Sequence, residues 1–187
     1  MKRLFSLICV AMLAVAASAQ ITWNAKGGFG AATCWGGDKS GLHVVGKIGA
    51  GIEKPLTSNL SLMPSLEIAW KGAKGEYDVK LDFFYVQIPI MFAYRLNISD
   101  SWNTALKVGP YFAYAIDRKF DFRYGTRHEG NKFDAGLDVG IDFEYHKFVF
   151  GVETEMGFCK LADGSDGKSP IGDMKNLAFY ATVGWKF

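Results

Sequence analysis

Residues 132–161 read KFDAGLDVGIDFEY, then HK, then FVFGVETEMGFCKL. In the first half Asp134, Gly136, Asp138, Gly140, Asp142 and Glu144 share one parity. Phe133, Ala135, Leu137, Val139, Ile141, Phe143 and Tyr145 share the other. The second half repeats the pattern, with Gly151, Glu153, Glu155 and Gly157 against Val152, Thr154, Met156 and Phe158. A period of two over this length means two β-strands, and the short HK break makes them a hairpin. One face is carboxylate and glycine; the other is almost wholly apolar. A soluble hairpin puts the charged face in water and the apolar face on a core. A membrane barrel does the reverse, with apolar residues towards lipid and charges towards the lumen.

The remaining sequence decides between these. The chain has 187 residues, enough for one domain with a core. Residues 1–19 read as a signal peptide. Lys2 and Arg3 form a basic n-region, Leu4 to Val15 is a short apolar run, and Ala17-Ser18-Ala19 is an A-x-A cleavage site. The domain then covers 20–187. Lys2 and Arg3 account for two of the 21 basic residues, leaving 19 against 19 acidic ones in the mature part. No basic excess points to nucleic acid. All 22 glycines lie beyond the leader, well above the usual ~7%. Glycine disfavours helices and aromatic residues favour strands, so the composition points to β-structure. No long apolar run follows the leader, so any membrane crossing is made by strands.

Eight segments alternate. They are Ile21–Trp35, Leu42–Lys54, Leu60–Lys71, Leu81–Leu96, Trp102–Ile116, the two of the opening hairpin, and Lys175–Phe187. Pro89 lies inside the fourth, which demands a bulge or a locally unpaired edge. Residues 36–41, 72–79, 117–131 and 161–174 read as loops. Connections after even-numbered segments (55–59, 97–101 and 146–147) are short; those after odd-numbered ones are mostly longer and charged. Outer-membrane barrels show this asymmetry, with short periplasmic turns and longer outer loops. All five tryptophans lie near strand ends on the apolar parity. Trp23, Trp102 and Trp185 belong to one rim, Trp35 and Trp70 to the other, as two aromatic girdles. The expected fold is all-β: an eight-stranded antiparallel up-and-down transmembrane barrel with both termini in the periplasm.

In that barrel the polar parity faces the lumen. It carries Lys26, Lys47, Lys71, Arg95, Lys107 and Lys186 against Glu53, Glu67, Asp138, Asp142, Glu144, Glu153 and Glu155. Six cations nearly cancel seven carboxylates. An eight-stranded barrel is just wide enough for side chains to fill it, so these charges predict a plugged lumen and no diffusion pore.

Several stretches resemble the porin-like, PorT-type outer-membrane β-barrel family of Bacteroidetes. They are LSLMPSLEIAWKG (60–72), YVQIPIMFAYRL (85–96), LKVGPYFAYAI (106–116), FDAGLDVGIDFEY (133–145) and FYATVGWKF (179–187). The resemblance implies eight antiparallel strands, a cell-envelope location in the outer membrane, and no shared catalytic motif. Val183, Trp185 and the terminal Phe187 share the lipid parity, and this aromatic end resembles the signature that directs such chains to the barrel-assembly machinery.

Catalytic signals are sparse. H-E-x-x-H, G-x-S-x-G and C-x-x-C are absent. ADGSDGKS (162–169) lacks the first glycine of a phosphate loop and joins two strands. If the first hairpin is symmetric about residues 38–39, Cys34 and His43 are cross-strand neighbours on the lumen parity, with Cys159 at the same rim. That trio offers a zinc site, a Cys–His nucleophile, or a Cys34–Cys159 disulfide; the two cysteines lie two strand spacings, about 10 Å, apart. Unpaired structural cysteines are the simpler reading. The charged loop DRKFDFRYGTRHEGN (117–131) suits lipopolysaccharide phosphates or a protein partner. The expected role is non-enzymatic and needs no cofactor. Its rivals are an enzyme acting at the outer rim and a soluble, lipocalin-like ligand-binding barrel.

Overall fold

A computed structural model of the chain describes residues 21–36, 41–74, 80–122, 125–127, 131–160 and 174–187. The expected signal peptide and most of the 161–174 loop lie outside these residues. The strands are β1 (Thr22–Trp35), β2 (His43–Pro55), β3 (Leu60–Lys74), β4 (Lys80–Asn97), β5 (Trp102–Phe122), β6 (Gly125–Arg127), β7 (Phe133–Tyr145), β8 (Phe148–Gly157) and β9 (Lys175–Lys186). Every pairing is antiparallel, and β1 pairs with β9, closing the sheet. Eight strands form the barrel. The short β6 pairs only with the far end of β5.

The barrel is tilted, as closure requires. Asn24 faces Gly51, Gly51 faces Ser65, and the row runs on through Pro89, Tyr111, Gly136 and Gly157 to Asn176, which faces Cys34. One circuit therefore climbs from residue 24 to residue 34 of the same strand.

Parity decides the faces as expected for a membrane barrel. Phe29, Ile48, Ile68, Phe92, Val108, Val139, Val152 and Val183 are exposed on the outside. Lys47, Glu67, Lys71, Asp138, Glu153 and Glu155 are buried inside. This orientation overturns the lipocalin-like alternative, which needs the apolar parity inward. Trp102 packs on Tyr145 with ring centroids 4.8 Å apart, and Trp185 meets Phe148 edge-on at 4.5 Å. With exposed Trp23 they make the girdle at the rim carrying the chain ends. At the opposite rim Trp70 stacks on Phe84 at 6.2 Å, and Trp35 donates its indole N–H to the Gly157 carbonyl at 3.2 Å.

Two boundaries differ most from expectation. β5 continues to Phe122 and pairs with β4 as far as Lys80↔Asp121, so the 117–131 segment begins as strand. Phe120 and Phe122 alternate there with charged residues, a strand pattern that charge content hides. β3 likewise runs to Lys74, three residues into the expected 72–79 loop.

Candidate functional site: the charged lumen

The polar parity of the strands converges in three layers. Nearest the chain ends, Arg95 and Lys186 sit between Glu53 and Glu144. Arg95 reaches Glu53 at 2.5 Å and forks onto both Glu144 oxygens at 3.1 Å. Lys186 donates to Glu53 and to Glu144 at 2.8 Å each. Two cations and two carboxylates thus close a ring in which each charge has two opposite neighbours. The fork of a guanidinium on a carboxylate is the strongest geometry for such a pair.

The middle layer centres on Glu153 and Glu155. Glu153 takes Lys47 at 2.6 Å, Lys107 at 2.5 Å, and a hydrogen bond from Lys26. Glu155 takes Lys47 at 2.7 Å, Lys71 at 2.5 Å and the Gln87 amide at 2.8 Å. Lys107 also reaches Asp142 at 2.5 Å. Glu67 accepts from Gln87 and Ser65 at 3.0 Å each and lies 3.5 Å from Lys47. Asp138 stands apart, its sole ion pair among the described residues being Lys47 at 3.9 Å. Glycines make room for these long side chains. A Cβ on Gly140 would lie 2.8 Å from Glu153 Cγ, and one on Gly151 would lie 2.1 Å from Asp142 Oδ1.

The third layer, at the loop side, is aromatic. Asp134 accepts from the Tyr111 hydroxyl at 3.0 Å and from Asn176 at 2.8 Å, and Asn176 also donates to the Tyr85 hydroxyl at 3.2 Å. Lys71 lies over the Tyr111 ring at 4.3 Å. Phe83, Ala69, Ala113, Ala115 and Met174 fill the remaining space, with Cys34 packed against them. A cavity of about 30 Å³ lies between the first two layers. That is room for about one water.

All thirteen charged residues expected in the lumen network are there. Asp134 joins them, making eight carboxylates against six cations among the described lumen residues. Its position on the polar parity of the first-quoted stretch was the available signal. Gln87, Tyr111 and Asn176 lie on the polar parity of the sequence, yet they and Tyr85 escape a search by charge, because none of them is a carboxylate or a cation.

The Cys34–His43–Cys159 trio is not assembled. β1 and β2 pair Ala32 with His43, two residues away from the expected partner. Gly36, at a φ of 85°, already begins the turn, which shifts the hairpin's centre towards β1. Cys34 faces Asn176 of β9 instead. The β2–β3 ladder stops at Gly46↔Trp70, and beyond it His43 turns onto the girdle. Its Nε2 lies 2.9 Å from Asp82, and its ring meets Trp70 edge-on at 5.8 Å. The Trp70 indole donates to the same carboxylate at 3.2 Å. Neither Cys34 nor Cys159 is disulfide-bonded, so the disulfide alternative is not realised. Among the described residues no group of three or more His, Cys, Asp or Glu side chains is placed to hold a metal ion.

Comparison with known proteins places this architecture. Residues 17–163 match the outer membrane protein beta-barrel domain. The fold is similar to that of Neisserial surface protein A, at 10% identity and a TM-score of 0.54, covering 89% of this chain and 97% of that one. It is similar to the outer membrane protein OprG of Pseudomonas aeruginosa, at 13% identity and a TM-score of 0.54, covering 89% and 95%. Ail, the attachment invasion locus protein of Yersinia pestis, is similar at 14% identity and a TM-score of 0.51, covering 89% and 98%. No curated protein matches the sequence.

Proposed function

The chain belongs to the outer membrane protein beta-barrel domain family of the bacterial outer membrane, and we propose that it serves there as a small non-enzymatic barrel with a structural or interaction role. The observation that carries this reading is the lumen itself. Three layers of paired side chains cross it, and the space left between the lower two is about 30 Å³. Such a barrel presents surfaces and does not conduct solutes. Kinship with the Bacteroidetes, PorT-type branch is part of the proposal, carried by the sequence stretches quoted above.

The termini lie in the periplasm on this reading. Support comes from the connections at their rim, the turns between β2 and β3, β4 and β5, and β7 and β8, which are all short. The opposite rim carries the β4–β5 extension, whose backbone pairs Lys80 with Asp121 and Asp82 with Lys119. That charged ribbon is the surface offered to lipopolysaccharide or to a protein partner. Insertion proceeds through the barrel-assembly machinery.

Planar-bilayer recording of the purified, refolded protein tests the plugged lumen. No stable single-channel conductance is expected. Reproducible open-state steps from the wild type would revive a porin role.

A further inference from the structure

Three prolines interrupt three successive seams of the barrel wall. The β2–β3 pairs run to Gly51↔Ser65 and resume at Lys54↔Leu62. That register sets Pro64 opposite Ile52 in the gap. The β3–β4 pairs break between Glu67↔Gln87 and Pro64↔Ile90, which sets Pro89 opposite Ser65. The β4–β5 pairs break between Pro89↔Tyr111 and Phe92↔Val108, which sets Pro110 opposite Ile90. In each seam the missing pairs are those that need the proline's absent N–H. The carbonyls of Ile52, Ser65 and Ile90 therefore face a residue that cannot donate.

The gaps lie side by side, since Pro64, Ile90 and Pro110 form one cross-strand row with Pro89 next to it. Exposed Leu66, Val108 and Phe112 surround the row on the outside, so it lies within the apolar belt. Unmatched backbone groups are costly where no water can replace the donor. On the inside, the lumen cavity abuts the same stretch and is lined there by Met63, Pro64, Ser65 and Met91. By contrast, β7 and β8 pair without a break from Gly136↔Gly157 to Tyr145↔Phe148.

We infer that the proline row is a built-in weak seam, at which the β2–β5 wall opens locally and connects the lumen cavity with the outside while the β7–β9 wall stays shut. Each half-pair keeps one hydrogen bond, from Ile52, Ser65 or Ile90 to the proline carbonyl opposite. Breaking that one bond parts the strands there, whereas an intact pair must break two. Low-stability segments of this kind exchange their amides without global unfolding.

Amide hydrogen exchange followed by NMR on the refolded barrel tests the inference. The amides of Ile52, Ser65 and Ile90 are expected to exchange at least tenfold faster than those of Gly140 and Glu153. Restoring the donors in Pro64→Val/Pro89→Ala/Pro110→Val should slow them towards the β7–β8 rates. Equal protection of both walls in the wild type would overturn the inference, and this comparison stands even if the triple variant fails to fold. Fast exchange that the folded triple variant leaves unchanged would overturn it too.

Discussion

Lys47 and Glu155 meet at 2.7 Å although β2 and β8, which carry them, are kept apart by β1 and β9. Lys47 also reaches Glu153 at 2.6 Å and Glu67 at 3.5 Å. One ammonium thus ties carboxylates from two opposed walls. The pairing follows from the distribution of charge. Acids crowd β7 and β8, bases are spread over the other strands, and a narrow lumen makes them meet.

Removing Lys47 should therefore cost more than removing an acid at the edge of the network. Lys47→Met leaves buried carboxylates short of a counter-charge, at a cost of about 3–5 kcal/mol. Asp138→Asn removes a group whose nearest cation is 3.9 Å away and directly beside which, on β8, stands Glu155. It should cost less than about 1 kcal/mol, since like charges directly opposite are unfavourable. Urea unfolding in lipid vesicles, read by tryptophan fluorescence, ranks the two. Equal costs would mean that the network is not organised around Lys47.

Val139 is exposed on the outer wall, between Val108 of β5 and Thr154 of β8. Val139→Arg should cost about 2–4 kcal/mol in a bilayer, where the guanidinium meets acyl chains. Thr182→Ser, on the lumen side, keeps the hydroxyl and should be mild. If Val139→Arg folds into liposomes as readily as wild type, the face assignment fails.

His146 has a φ of 54°, the one positive value among the described non-glycine residues. It is the first of the two residues turning β7 into β8, the position that glycine fills in a type II′ hairpin. His146→Gly should raise stability by up to about 1 kcal/mol, and the β-branched His146→Val should lower it by about 1–2 kcal/mol. The T-shaped contact of His146 on Tyr145, at 4.5 Å, is lost in both variants, so their difference isolates the backbone term. Urea midpoints of the two variants check the order.

The barrel was legible because alternation carries one bit per residue, and most lumen positions hold a charge or a glycine. That basis alone puts thirteen charged residues inside, where the structure has them paired or buried. Register was less legible. A shift of two residues preserves every parity, so nothing in the alternation separates Ala32 from Cys34 as the partner of His43. That ambiguity built the cysteine–histidine trio, and Gly36 dissolved it. The aromatic layer stayed hidden for a related reason. Alternation puts Tyr85 and Tyr111 on the lumen parity, but only the contacts with Asp134, Asn176 and Lys71 show that they form a layer there. Pro89 announced a break in the ladder, but the alignment of Pro64 and Pro110 with it needs the register of four strands.

Phe187 ties β9 to the start of β1. The backbone N–H of Phe187 donates to the Trp23 carbonyl at 2.9 Å, and its ring is exposed at the rim beside the girdle. In the folded barrel that is one terminal hydrogen bond, worth about 1 kcal/mol. Deleting Phe187 should therefore lower the urea midpoint of protein refolded in vitro only slightly. In cells the effect should be far larger, because Val183, Trp185 and Phe187 form the aromatic end that resembles the outer-membrane assembly signature. The truncated chain is expected to accumulate in the periplasm and be degraded. The two readouts separate a recognition role from a structural one. A large loss of stability in vitro would make Phe187 a closing residue of the barrel, and normal surface levels in cells would remove its role as a signal.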